Sequence, residues 1–369
     1  MTLDLISLGV IFYMLGLAYL SYHWTKGLDN YTKSPPSTAS FSILIPYRNE
    51  SSSLIDLIES ILPQLEASDE IILIDDHSEN GLNQKLMELY QTNSSVTLLC
   101  LDGGESGKKA GLKKGFLHAK ADRIIQIDAD IEVGPNWLSA IKQIPENVQL
   151  GILPVALHGI NHGLKRLEQT EFMSLAGVTG AMAARNQAAM ANGASLLVSR
   201  GLMQSYVESS SDKQISSGDD MFILGLAKKQ KLNIQYCFDS RCIVHAKGNE
   251  SLQEYFDQRI RWASKMRAGK NLPGTGLGAI VILFQLFFIV AICYLIYIEN
   301  WHFAFILFGA KGFAEFLFSR RIARFFGYSE WLDNFSIFGT ILYPFTSLFT
   351  AIASIFYRPK WKGRIIDVK

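Results

Sequence analysis

Charge is scarce in this 369-residue chain: Asp, Glu, Lys and Arg together make up 19% of it, against 49% hydrophobic residues. Soluble domains average about 25% charged residues, so part of this sequence is expected to lie in a membrane. A net charge of +1 gives no electrostatic footprint for a nucleic-acid partner. Cysteine is also sparse. Cys100, Cys237, Cys242 and Cys293 lack close metal-ligand spacing, which argues against a zinc enzyme and for reduced thiols in a cytoplasmic domain. The run Gly103-Gly104-Glu105-Ser106-Gly107-Lys108-Lys109 lacks the Gly-x4-Gly-Lys-Ser/Thr spacing, which excludes a P-loop. No internal repeat or low-complexity tract is present.

What the chain does have is long uncharged runs near both ends. Leu5 to Tyr22 carries no charge and is followed by His23 and Lys26. With no basic segment before it and no small-residue cleavage site after it, this run predicts an uncleaved anchor, the following chain lying in the cytoplasm. Pro273 to Ile298 and Phe335 to Tyr357 are also free of Asp, Glu, Lys and Arg, whereas Phe303 to Phe318 contains Lys311 and Glu315 at helical i,i+4 spacing. That pair is costly in lipid unless it faces protein. Basic residues flank these runs: Arg320, Arg321 and Arg324, then Arg358, Lys360, Lys362 and Arg364. If both clusters stay cytoplasmic, an even number of crossings separates Trp262 from the tail, so one apolar segment does not cross. The expected one is Phe335 to Tyr357, broken at Pro344, entering and returning on the same side.

Between the hydrophobic ends lies an alternation of strand-like and helix-like stretches. Phe41 to Pro46, Glu70 to Ile74, Val96 to Leu99 and Arg123 to Ile127 are short runs rich in Ile, Leu and Val, separated by helical patterns over 52–65, 83–90 and 109–118. This is β-α-β patterning, and strands apolar on both faces predict a mostly parallel α/β sheet wrapped by helices. Beyond them the Ala- and Gly-rich stretch 169–190 is unassigned, 192–198 reads as a further strand, and helices are expected over 220–229 and 252–270. The resulting organisation is an anchor over 1–25, a Pro- and Ser-containing linker over 26–40, a catalytic domain over 41–250, an interfacial helix over 251–272, membrane segments over 273–357 and a basic cytoplasmic tail over 358–369.

In parallel sheets ligands sit beyond the carboxyl ends of the strands, and paired carboxylates fall there. Asp75-Asp76 ends one run and Asp128-Ala129-Asp130 another. Asp128 and Asp130 sit two apart on an opening strand, where they can hold a divalent ion against two phosphate oxygens, although an isolated Asp-x-Asp is often only a polar strand end. Asp75 and Asp76 suit a nucleobase imide or a ribose hydroxyl, or simply start a turn. In Ser217-Gly218-Asp219-Asp220, capping of the following helix accounts for one carboxylate and leaves the other for general-base work. Gln258-Arg259-Ile260-Arg261-Trp262 offers phosphate-binding forks and a stacking ring, or a basic juxtamembrane helix. A lone His245 reads as structural.

Taken in order, these motifs resemble family 2 inverting glycosyltransferases of the GT-A fold, over roughly 41–262. Ser42-Ile43-Leu44-Ile45-Pro46-Tyr47-Arg48-Asn49-Glu50 is similar to the family's opening strand and nucleotide loop, Asp75-Asp76-His77-Ser78 to its nucleoside-binding acids, and Gly107-Lys108 to the start of its Gly-Lys-x-x-Ala-Leu-Asn segment. Asp128-Ala129-Asp130 resembles the metal motif, Asp219-Asp220 the base-carrying pair, and Gln258 to Trp262 the Gln-x-x-Arg-Trp motif. Lys113 departs from the usual Asn and Gly111 from the common Ala. The short tail Trp361-Lys362-Gly363-Arg364 is similar to one near the end of membrane glycosyltransferases that modify lipids or carotenoids.

The resemblance implies a Rossmann-like, mostly parallel GT-A domain with transmembrane helices at both ends. It implies a nucleotide-sugar donor, with UDP the expected nucleotide, held by Pro46, Tyr47, Asn49, Glu50, Asp75, Asp76, Lys108 and Asp128. Mn²⁺ or Mg²⁺ is expected at Asp130 and Asp128, the base at Asp220 with Asp219 beside it, and diphosphate or acceptor contacts at Gln258, Arg259, Arg261 and Trp262. The expected setting is a multi-pass protein of the cell (inner) membrane with a lipid or lipid-linked acceptor. Two alternatives are a processive polysaccharide synthase subunit and a catalytically silent nucleotide-sugar-binding membrane protein. A polymer channel needs more helices than two to four, and intact Asp130 and Asp220 argue against the silent reading.

Overall fold

The computed structural model describes residues 3–158, 164–209, 218–268, 272–328, 337–357, 360–361 and 364–365. In chain order the first elements are α1 (Leu3–Asp29), β1 (Phe41–Tyr47), α2 (Ser53–Ile61), β2 (Glu70–Asp75), α3 (Leu82–Tyr90), β3 (Val96–Cys100), α4 (Lys108–His118), β4 (Arg123–Ile127), β5 (Ile131–Val133) and α5 (Trp137–Ile141). There follow β6 (Leu150–Ile152), β7 (Val155–His158), α6 (Leu164–Ala183), β8 (Ser195–Ser199), α7 (Arg200–Glu208), α8 (Asp219–Lys229), β9 (Ile234–Tyr236) and β10 (Val244–Lys247). The last are α9 (Leu252–Ala268), α10 (Leu272–Tyr297), α11 (Trp301–Phe325), α12 (Ile337–Phe356) and the pair β11 (Lys360–Trp361) and β12 (Arg364–Ile365). They form two compact units, one from Tyr31–His158 and Met190–Lys247, the other from Met1–Asn30, Gly159–Ala189 and Gly248–Val368.

The first unit is built on a seven-stranded sheet ordered β3-β2-β1-β4-β8-β6-β9, with a small sheet β5-β10-β7 beside it. β3, β2, β1 and β4 are parallel, as expected for strands apolar on both faces; Ile43, Leu44, Ile45, Ile71, Ile72, Leu73 and Ile74 are fully buried. β8 reverses direction, pairing antiparallel with both β4 and β6. α4 lies against β1 and β2 at close range because it presents glycines at i and i+4. A β-carbon on Gly111 would come within 3.0 Å of Pro46, and one on Gly115 within 2.9 Å of Ile74. The departure from Ala at Gly111 thus has a packing reason, while Lys113 is exposed on the opposite face of α4.

The second unit holds four helices long and apolar enough to cross a membrane: α1, α10, α11 and α12. α1 and α11 run parallel: Ile6 and Val10 share a core cluster with Ala304 and Leu307, the Tyr13 hydroxyl donates to Glu315 at 2.7 Å, and Arg321 donates to Thr25 at 3.1 Å. α10 runs antiparallel to them, stacking Phe284 on Tyr13 with ring centres 3.9 Å apart and placing Leu295 in the Ile6 cluster. Lys311 is fully buried and pairs with Glu315 at 2.6 Å, so the charge on this apolar helix faces protein.

Three boundaries differ from the sequence reading. α1 continues through Asp29, so the linker is shorter than 26–40. The catalytic domain expected over 41–250 is interrupted, because Gly159–Ala189 belongs to the second unit. There α6 packs on α11 through Gly177, where a β-carbon would come within 2.0 Å of Ile322. The third concerns α12, expected to break at Pro344 but helical across it. Proline removes the N–H that would bond the carbonyl of Thr340. The Lys311 ammonium lies 3.4 Å from that carbonyl and satisfies it, while the Thr340 hydroxyl donates to Glu315 at 3.0 Å. α12 therefore starts level with the middle of α11. Further on, Ser354 accepts from Ser264 of α9, the helix that leads towards α10, at 3.4 Å. Arg358 and Lys362 lie outside the described residues.

Candidate active site

The carboxyl ends of β1, β2 and β4 carry the polar residues singled out in the sequence. β1 delivers Pro46 and Tyr47, and the loop beyond it Asn49 and Glu50. The Tyr47 hydroxyl donates to Asn83 at 3.1 Å, and burial, with Asp75 nearby, pushes its pKa up. Asn49 ties the loops after β1 and β2 together: its N–H donates to Ser78 at 2.9 Å and its side chain accepts from the N–H of Glu79 at 2.8 Å. The amide side chain of Asn80 in turn donates to the carbonyl of Glu50 at 2.6 Å.

Asp75 and Asp76 are both buried at the end of β2. Asp75 accepts from the N–H of Ser78 at 3.1 Å, the turn anticipated from the sequence. Asp76 accepts from the N–H of Gly107 at 3.0 Å and faces Arg48 at 3.7 Å. Burial raises the Asp76 pKa against the pull of Gly107 and Arg48. Gly107 has φ of 91°, a left-handed conformation that side chains disfavour, and it starts α4 so that Lys108 occupies the first helical position.

Lys108 joins the motifs. Its ammonium makes a short ion pair with Asp128 and donates to the carbonyl of Gly193 at 2.8 Å. The N–H of Gly193 donates to Asp220 at 3.1 Å, and the N–H of Asp128 donates to the carbonyl of Ala194 at 3.1 Å. Residues distant in sequence, from α4, the end of β4, the entry to β8 and the start of α8, thus meet within one cluster. Burial disfavours the Lys108 ammonium, but Asp128, Asp219 and Asp220 outweigh it and hold its pKa above the ordinary value. No motif pointed to Gly193. It follows Asn192, whose side chain accepts from the N–H of Ala194 at 3.0 Å and fixes the turn.

The neighbouring acids are used differently. Asp219 is 5% exposed and accepts from the Tyr206 hydroxyl of α7. Asp220 is half-buried and, besides Gly193, accepts from the N–H of Met221 at 2.9 Å. Ser217 lies outside the described residues. Asp130 is exposed at the edge of the small sheet, one residue before β5, and Asp128 keeps 37% of its side chain exposed. Two carboxylates of this kind suit Mn²⁺ or Mg²⁺, which take the rest of their oxygen ligands from phosphate and water. Among the described residues no group of three or more His, Cys, Asp or Glu side chains forms a metal cage. His158 and His162 stand four apart, but β7 ends at His158 and His162 is outside the described residues.

Gln258 to Trp262 lie on α9 in the second unit. Arg259 is buried, pairs with Glu168 and Glu171 of α6 at 3.0 Å each, and lies over the rings of Tyr255 and Trp262 at 4.1 and 5.0 Å. Burial raises the Glu171 pKa, opposed by Arg259 and the Tyr255 hydroxyl. Gln258 accepts from Asn249 at 3.0 Å. Arg259 thus joins α6 to α9, while Arg261 and Trp262 are half-buried.

A parallel sheet reversed at β8, with paired acids beyond β2 and β4, is the GT-A-like α/β class. Residues 42–154 match the family described as Glycosyl transferase family 2. An uncharacterized glycosyltransferase of Synechocystis sp. is 32% identical over 104 residues, which cover 27% of this chain and 32% of that relative's length. The mannosyltransferase PcManGT from Pyrobaculum calidifontis, solved in complex with GDP-Man and Mn²⁺, superposes with a TM-score of 0.56 at 15% identity, over 96% of this chain and 99% of its own. That likeness shows the fold.

Proposed function

We propose that this chain is a membrane-bound inverting glycosyltransferase that moves a sugar from a nucleotide-sugar, UDP being the expected nucleotide, to a lipid or lipid-linked acceptor. The observation that carries this reading is the convergence of Lys108, Asp128, Gly193 and Asp220. A cation, a partly exposed acid and a second acid held by a backbone N–H are what transfer of a sugar from a diphosphate requires. Asp220 takes the proton of the acceptor hydroxyl, which attacks the anomeric carbon as the nucleotide leaves from the opposite face. Lys108 neutralises charge on the departing diphosphate, and Asp75, Asp76, Tyr47 and the Asn49 loop receive the nucleoside. Asp130 and Asp128 would hold Mn²⁺ or Mg²⁺, which supplies Lewis-acid stabilisation of the diphosphate when bound. Asp219, fixed by Tyr206, positions the start of α8. The Mn²⁺ in the complex of the Pyrobaculum mannosyltransferase supports the metal assignment.

The acceptor assignment rests on the four apolar helices. They are few for a polymer channel within one chain. We further propose that the sheet unit is cytoplasmic, that α1, α10 and α11 cross, and that α12, starting at mid-depth, returns to the cytoplasmic side.

The test is turnover and nucleotide affinity measured in parallel on Asp220→Asn in the purified full chain, with labelled nucleotide-sugars and total membrane lipid. Turnover should fall by about 10²–10⁴-fold, the usual contribution of a positioned base, with nucleotide affinity nearly unchanged. Undiminished turnover would remove Asp220 from the mechanism. Transfer to water or soluble sugar in preference to lipid would remove the acceptor assignment.

A further inference from the structure

A cavity lies between α1 and α11, within the helix unit. It has a volume of about 590 Å³, in the range of small-molecule sites. Its composition changes along its length. Towards the middle of the two helices the walls are Leu17 and Ala18 of α1 and Phe313 and Leu317 of α11. Towards the ends of the helices the lining becomes Thr25, Lys26 and Asp29 of α1 and Arg321 of α11. Lys26, Asp29 and Arg321 are exposed, and Arg321 is oriented by its hydrogen bond to Thr25 at 3.1 Å.

Four cations stand at this end, Lys26, Arg320, Arg321 and Arg324, against the single carboxylate of Asp29 in the lining. Lys26 also borders a smaller opening on another face of α1, with His23 and Arg185. Both helices are long and apolar enough to cross a membrane, and a crossing would set the apolar part of the groove at hydrocarbon depth and the basic part at the headgroup level. An exposed apolar slot leading to a cluster of cations matches a long hydrocarbon chain joined to an anion.

We propose that the groove between α1 and α11 binds an anionic phospholipid, one acyl chain lying between Leu17 and Leu317 and the phosphate facing Arg321 and Lys26. The occupant is a lipid and not free phosphate, because the slot below the cations is apolar and opens to the bilayer. The proposal is independent of the glycosyltransferase reading: it requires only that α1 and α11 span, and it assigns the bound lipid no part in sugar transfer.

The experiment is photo-crosslinking of the full-length protein in phosphatidylcholine vesicles, with phosphatidylglycerol carrying a diazirine in its acyl chain as the probe and adducts mapped by peptide mass spectrometry. Adducts should concentrate on α1 around Leu17 and on α11 around Phe313 to Leu317. Arg321→Gln and Lys26→Gln should each lower them about fivefold, the effect of one cation near a lipid surface. Arg321→Lys should keep most of the labelling and control for folding, Leu317→Trp should abolish it by filling the slot, and Arg320→Gln, at the same end but outside the lining, should lower it less than either of the two lining variants. Equal labelling by a phosphatidylcholine probe, adducts spread evenly over α10 and α12, or an equal loss in Arg320→Gln would each overturn the proposal.

Discussion

Asp219 and Asp220 are adjacent, yet one faces a tyrosine hydroxyl and the other a glycine N–H at the mouth of the site. In the proposed mechanism Asp219→Asn is a change in support and Asp220→Asn a change in chemistry. At Asp130 the carboxylate is exposed, and its proposed use is as an oxygen ligand to Mn²⁺ or Mg²⁺. Excess chelator should abolish transfer, and Asp130→Ala should raise the metal concentration needed for half-maximal rate by at least about tenfold, as when a hard-cation site loses a ligand. Rates insensitive to chelator would end the metal assignment. Asp239 gives a separate prediction about pH. Burial works against its charge, but Arg241 at 2.7 Å and Lys33 at 2.8 Å more than offset this and hold its pKa at about 2, down from 3.8. A carboxylate with a depressed folded-state pKa stabilises above its unfolded value, and that stabilisation is lost as pH falls from about 4 towards 2. The shift corresponds to about 2 kcal/mol. Asp239→Asn should lower the melting temperature at neutral pH, and the gap from the wild type should close in acid.

Among the elements, α12 shows how local chemistry is rescued by a distant partner. Its sequence alone gives an apolar run broken by Pro344; the helix persists because Lys311 reaches the carbonyl the proline leaves unbonded. Lys311→Met would strip Glu315 of its cation and leave the half-buried carboxylate held only by the Tyr13 and Thr340 hydroxyls, a change that costs less than the about 3–5 kcal/mol of a broken, fully buried pair. The variant should be poorly recovered in detergent, and adding Glu315→Gln should restore part of the loss, the Thr340 carbonyl remaining unbonded, measured as the monodisperse fraction. No recovery in the double variant would mean that the pair is not a thermodynamic unit. The Ile- and Leu-rich strands and most helix limits were legible in the sequence, because burial on both faces leaves an uninterrupted apolar run. α6 was not: its Ala- and Gly-rich stretch carries no strong apolar periodicity, and it becomes a packing surface only where Gly177 admits Ile322. The ion pairs of Arg259 were equally hidden, since Glu168 and Glu171 lie about 90 residues upstream.

For the whole molecule the proposed topology has three crossings, by α1, α10 and α11. If α12 returns from mid-depth, Ile366→Cys in a chain lacking its native cysteines should resist membrane-impermeant thiol reagents applied outside intact cells and react after permeabilisation. Labelling from outside would mean that α12 crosses and that the basic tail is an exception to the charge bias of cytoplasmic flanks. The apolar ends, the α/β alternation and the places where acids leave buried strands can be read directly along the chain, because hydrophobic period and turn chemistry are local. The meeting of Lys108, Asp128, Gly193 and Asp220, the neutralisation of Arg259 by α6, and the apolar wall and basic end of the α1–α11 groove emerge only in the folded chain. Each of these depends on residues far apart in the chain, and their spacing is set by the register of β8 against β4 and by how closely helices approach at glycines.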